Sequence, residues 1–106
     1  MAWLLLIIAG LFEIGWPLGF KLASTHPKYF IAFIALAVVS MGLSGYFLYL
    51  AQKTIPIGTA YVIWTGVGAI GTVLLGILFF HDSASILRLL FLTLILAGII
   101  GLKLAH

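Results

Sequence analysis

The sequence predicts an all-α integral membrane protein of four transmembrane helices, and three observations carry that prediction. Of its 106 residues, 65% are hydrophobic and 7% charged, with a mean hydropathy of +1.37. A soluble domain of this size needs far more polar surface. The apolar residues fall in four runs, approximately 2–22, 29–51, 57–80 and 85–104. Each is long enough to cross a hydrocarbon core of about 30 Å as a helix. No run alternates with a period of two, the mark of a membrane barrel strand. Residues 1–106 therefore read as a single four-helix transmembrane domain.

The first run has no basic segment before it and no small-residue cleavage site, so it reads as an anchor and not as a signal peptide. It carries Glu13, the one acidic residue inside a run; Asp82 falls in a loop. At 1.5 Å per residue, Glu13 lies about 16 Å deep, close to the bilayer centre. A carboxylate there costs about 2.5–3.5 kcal/mol on insertion scales, so it needs a partner or a proton. Two readings follow: a proton or cation site, or a protonated side chain that glues helices together. Trp16 and Phe20 share its helix face at i+3 and i+7. Pro17 deprives the Glu13 carbonyl of its N–H partner, which predicts a kink and a free acceptor beside the carboxylate. Alternatively, water or Ser44 satisfies that carbonyl. Gly15 and Gly19 form a G-x-x-x-G pair, which predicts contact between the first helices of two copies.

"STHPK" (Ser24 to Lys28) breaks the chain before the second run, where Ser44 is a hydroxyl in apolar surroundings. It reads as a site residue, or as a packing hydroxyl bonded to its own helix. "QKTIPIG" (Gln52 to Gly58) then leads into the third run, in which Tyr61, Trp64 and Gly68 repeat the i, i+3, i+7 spacing. A carboxylate with aromatic rings and hydroxyls suits an organic cation, through charge pairing, cation–π contact and hydrogen bonds. Tyr61 lies near the run's start and reads equally as an interfacial belt aromatic. "GVGAIG" (Gly66 to Gly71) matches a dinucleotide fingerprint literally, but no strand precedes it; it signals close helix packing or a flexible point. "HDSAS" (His81 to Ser85) offers Ser83 or Ser85 as the cap of the last helix. That helix has Gly98 and Gly101 among long aliphatic residues and no acid, the composition of an assembly element.

Several function classes are excluded. The absence of cysteine removes disulfides, thiolate metal sites and a Cys nucleophile. His26, His81 and His106 share no ligand spacing, so no metal site is expected, and no residues suggest a cofactor or an enzyme. The net charge of +3 comes from scattered basic residues at helix ends, which suit the headgroups of the lipid bilayer and not nucleic acid. Lys53 and Lys103 fall on one side of the membrane, and Lys21, Lys28 and Arg88 on the other. So small a bias predicts either a weakly specified single orientation or copies inserted both ways and paired antiparallel. Two copies also supply the eight helices that a central cavity needs.

With these residues in hand, the chain strongly resembles the small multidrug resistance family of bacterial cation/proton antiporters. The resemblance spans essentially the whole chain: the single membrane Glu, "PIGTAYVIWTGVGAIG" (Pro56 to Gly71) and the closing "GIIGLK". Trp16 three residues after Glu13, together with Ser44, is similar to the guanidinium-exporter branch. The resemblance implies an antiparallel homodimer in the bacterial inner membrane, exporting guanidinium or a related cation against protons. Some family members pair with a paralogue instead. Glu13 takes the shared proton and cation role, with Trp16, Phe20, Ser44, Tyr61 and Trp64 around it. Pro17, Gly66, Gly68 and Gly71 are expected to let helices bend. Export of quaternary ammonium and other hydrophobic cations is the alternative, and a structural membrane subunit the reading from another class. Three features differ from the branch pattern: Pro17 after the Trp, a longer first loop, and "FFHDSAS" where relatives usually carry a Glu.

Overall fold

The computed structural model describes residues 1–105. Among them are four long helices, α1 (Ala2–Thr25), α2 (Phe30–Ala51), α3 (Ile57–Phe79) and α4 (Ile86–Ala105), with a 3₁₀ turn (Pro27–Tyr29) before α2. All four are long and apolar enough to cross a membrane. α1 extends beyond the expected residue 22 because Ser24 and Thr25 bond back to the Lys21 carbonyl at 2.9 and 3.0 Å, which carries the helix through polar residues. Of the two serines weighed as the cap of α4, Ser85 does it, its hydroxyl accepting the Arg88 amide at 3.3 Å. Ser83 accepts the Ser85 amide one step earlier.

α1 packs most extensively on α2 and then on α3; α3 also touches α2 and carries α4, whose Lys103 side chain reaches Trp3 of α1. The bundle measures 46 × 35 × 17 Å. One copy has a small buried core, and its clefts open outward. Its small apolar core, Leu6, Ala51, Ile55, Ala60, Ile63 and Ile99, sits where α1, α3 and α4 meet the loop after α2. Most other aliphatic side chains face outward, as lipid tails permit.

Association in lipid relies on close van der Waals approach, and small residues provide it. A Cβ at Gly19 would lie 2.7 Å from the Phe33 carbonyl oxygen, and one at Gly15 would fall on the Ser40 side chain. Both glycines thus seat α2 of the same chain. The expectation that this pair joins two first helices is corrected: the spacing marks a face, and α2 already covers it. On α3 each glycine of "GVGAIG" has its own neighbour: Gly66 takes Ile99 of α4, Gly68 takes Glu13, and Gly71 takes Ile14. Gly98 and Gly101 of α4 face open space. Each of the four lysines holds its ammonium within 6 Å of an aromatic ring, Lys21 on Phe80, Lys28 on Tyr29, Lys53 on Tyr49 and Lys103 on Trp3. Such pairs near helix ends suit the headgroup region.

Candidate functional site

The site begins with α1's choice of neighbours. Gly10 brings α1 against Val67 of α3, and Gly68 leaves room for the Glu13 side chain, whose Cγ would be 2.7 Å from a Cβ there. Across the helix, Gly15 and Gly19 draw in α2. Glu13 is therefore half-buried between α1, α2 and α3, in reach of side chains from each.

Four of the expected site residues join in one hydrogen-bonded chain. Trp16 Nε1 donates to Glu13 Oε1 at 2.8 Å, and the Ser44 hydroxyl stands 3.3 Å from the same oxygen. Ser44 also donates to the Ala9 carbonyl at 2.7 Å and accepts from Trp64 Nε1 at 2.8 Å. Ser44 is fully buried and bonds across helices, so it is no hydroxyl tied to its own backbone. Its acceptor corrects the Ser44 half of the alternative drawn for Pro17. The carbonyl it satisfies belongs to Ala9, four residues before Glu13, because that is where the α1–α2 crossing places it. α1 is continuous across Pro17, which borders the cleft beside Glu13.

The remaining aromatics form an outer layer. Tyr61 packs edge-on to Trp64 at 5.5 Å and Phe20 edge-on to Trp16 at 5.8 Å. Both are about half exposed, Tyr61 at 55% and Phe20 at 45%, so they extend the site outward instead of closing it.

Both hydrogen bonds to Glu13 fall on Oε1; Oε2 takes none among the described residues. Glu13 lines a cleft of about 320 Å³ between α1 and α3, with Trp16, Pro17, Gly68, Thr65 and Thr72. The two threonines were not among the residues expected there. Thr65, Gly68 and Thr72 repeat the i, i+3, i+7 spacing, so a stripe of small and polar residues facing Glu13 was the available signal. A larger groove of about 760 Å³ runs between α1, α3 and α4. It is lined mainly by aliphatic side chains, with Trp3 and Lys103 among them, and carries no carboxylate to pair with a cation.

Gly66, Gly68 and Gly71 lie within an unbroken α3 in this conformation, each against its own neighbour. His26 sits at the end of α1, its Nδ1 3.0 Å from the Thr25 hydroxyl, and His81 lies in the loop after α3. His106 lies outside the described residues. No group of three potential metal ligands occurs among the described residues.

The family model for the Small Multidrug Resistance protein matches residues 1–95. A guanidinium exporter of Yersinia pseudotuberculosis is 50% identical over 105 residues, covering 99% of both chains. Guanidinium exporters of Proteus vulgaris and Salmonella typhimurium are 48% and 49% identical, each aligned over 99% of this chain and over 99% and 98% of their own lengths. With four membrane-spanning helices and a match of this extent, the chain belongs to the small multidrug resistance family of membrane transporters.

Proposed function

We propose that this protein, a multi-pass protein of the bacterial inner membrane, is a proton-coupled antiporter that exports guanidinium or a similar small guanidinyl cation. Membership of the family and the names of its relatives support a small-cation exporter. The observation that carries the finer reading is the two-sided carboxylate of Glu13. One oxygen is held by Trp16 and Ser44, while the other is left for a ligand in the cleft.

Guanidinium is planar and carries N–H donors around its edge. The cleft offers it the carboxylate, the Thr65 and Thr72 hydroxyls and the indole of Trp16. A quaternary ammonium ion has no N–H to donate and needs an aromatic, deformable cavity. Proton and cation compete for the same oxygen, since the cation stabilises the ionised carboxylate and a proton removes its charge. Ser44 serves both states: its one proton turns from the Ala9 carbonyl to an ionised Glu13, and its oxygen accepts from a protonated one.

The open cleft becomes a transport site when a second copy closes it. We place two copies antiparallel, as a homodimer or with a paralogue, so that a pair of Glu13 side chains meets in a partly dehydrated cavity. If the dimer changes its open side only when loaded, inward protons drive the cation outward. Pro17 and the α3 glycines are the positions we assign to bending.

Current from purified protein in proteoliposomes tests the proposal. Guanidinium should give a current that Glu13→Gln abolishes, and a small quaternary ammonium ion should give little. The opposite preference would assign the multidrug reading. A Glu13→Gln protein that transports normally would leave Glu13 as interhelical glue.

A further inference from the structure

The other acidic residue of the chain, Asp82, also borders a cavity. A cleft of about 210 Å³ lies between the C-terminal half of α1 and the end of α3, and Lys21, Phe80 and Asp82 line it. Pro17 and Thr72 border both this cleft and the one at Glu13, so the two are consecutive chambers of one α1–α3 groove.

The loop is folded to keep the carboxylate there. The amides of Phe80 and Asp82 both donate to the Gly76 carbonyl at 3.0 Å, which turns the chain back on α3. His81 makes that turn with φ of 60°, a left-handed conformation that costs a residue with a Cβ roughly 1–2 kcal/mol. The Asp82 carboxylate then occupies the space that a Cβ on Gly76 would fill. The cleft already holds a cation: the Lys21 ammonium lies 5.9 Å from the centre of the Phe80 ring. A carboxylate and an aromatic ring thus line this cleft too, at the loop end of the groove.

We propose that Asp82 and Phe80 form a staging site for the transported cation, and that Lys21 is the resident cation which the substrate displaces on its way to Glu13. This rests on the exporter reading. Asp82 is exposed, so its attraction acts through a screened field and concerns capture more than the final bound state. In an antiparallel pair, one Asp82 stands at each face of the membrane.

The test is guanidinium current against concentration at low and high ionic strength and fixed pH, in the parent, Asp82→Asn, Asp82→Glu and Lys21→Gln. At low salt Asp82→Asn should raise the half-saturating concentration about threefold or more, with the saturating current within about twofold of the parent. Asp82→Glu should restore capture, and Lys21→Gln should lower the half-saturating concentration. The Asp82→Asn effect should shrink near 1 M salt, where charges are screened within about 3 Å. An unchanged half-saturating concentration in Asp82→Asn, with parent current present, overturns the staging site alone. So does a saturating current that falls with no change in half-saturation, because Asp82 then merely shapes the loop. A parent with no guanidinium current overturns the exporter reading, and the staging site with it.

Discussion

Glu13 was legible as the centre of the candidate site because a carboxylate at mid-membrane depth needs a partner or a proton. Trp16 and Trp64 followed from helical spacing, and Ser44 from its polarity in an apolar run. The structure joins all four in one hydrogen-bonded chain. Thr65 and Thr72 were harder to read, since a threonine in a membrane helix commonly bonds to its own backbone. The Ala9 carbonyl was beyond reach, because its role depends on the crossing of α1 and α2. Trp16 positions the carboxylate: its N–H bond to a charged group contributes about 1.5–3 kcal/mol. Trp16→Phe keeps most of the ring and removes that bond, so guanidinium binding to purified protein, measured by calorimetry, should weaken by about tenfold to a hundredfold. Unchanged binding would mean that the ring alone matters.

At the scale of the helix, the four runs were plain from length and hydropathy, but the ends were not. Ser24 and Thr25 look like loop residues and become the last turn of α1 by bonding to the Lys21 carbonyl. Glycine spacing likewise identifies a packing face without naming the partner, which is why Gly15 and Gly19 were assigned to a second copy and prove to seat α2. Gly19→Ala would press a methyl group against the Phe33 carbonyl, a backbone atom that cannot swing away. We expect a loss of about 1–3 kcal/mol, read as a lower thermal midpoint in detergent. Gly58→Ala is the matched control. No atom lies within 4 Å of a Cβ built at Gly58, in the first turn of α3. It should be neutral or stabilising by up to about 1 kcal/mol, as alanine favours the helix. Equal losses in both variants would contradict this account of α1–α2 packing.

The whole molecule is a bundle of 46 × 35 × 17 Å with its carboxylate beside an open cleft, and α4 packs chiefly on α3. Composition made the membrane setting legible. The open cleft was not, because it depends on which helices are neighbours. A site open on one side gives the proposed antiparallel pair a physical motive. The small difference in basic residues between the two sides gives it a route to insertion. In cells, a C-terminal tag should be accessible from both faces of the membrane; accessibility from one face only would remove the dual-topology homodimer. If one carboxylate holds either a proton or the cation, guanidinium binding must expel a proton. Purified protein in a weakly buffered solution with a pH indicator should release protons as guanidinium saturates it, and Glu13→Gln should release none. Saturable guanidinium binding without proton release, or with equal release from Glu13→Gln, would show that proton and cation do not share Glu13.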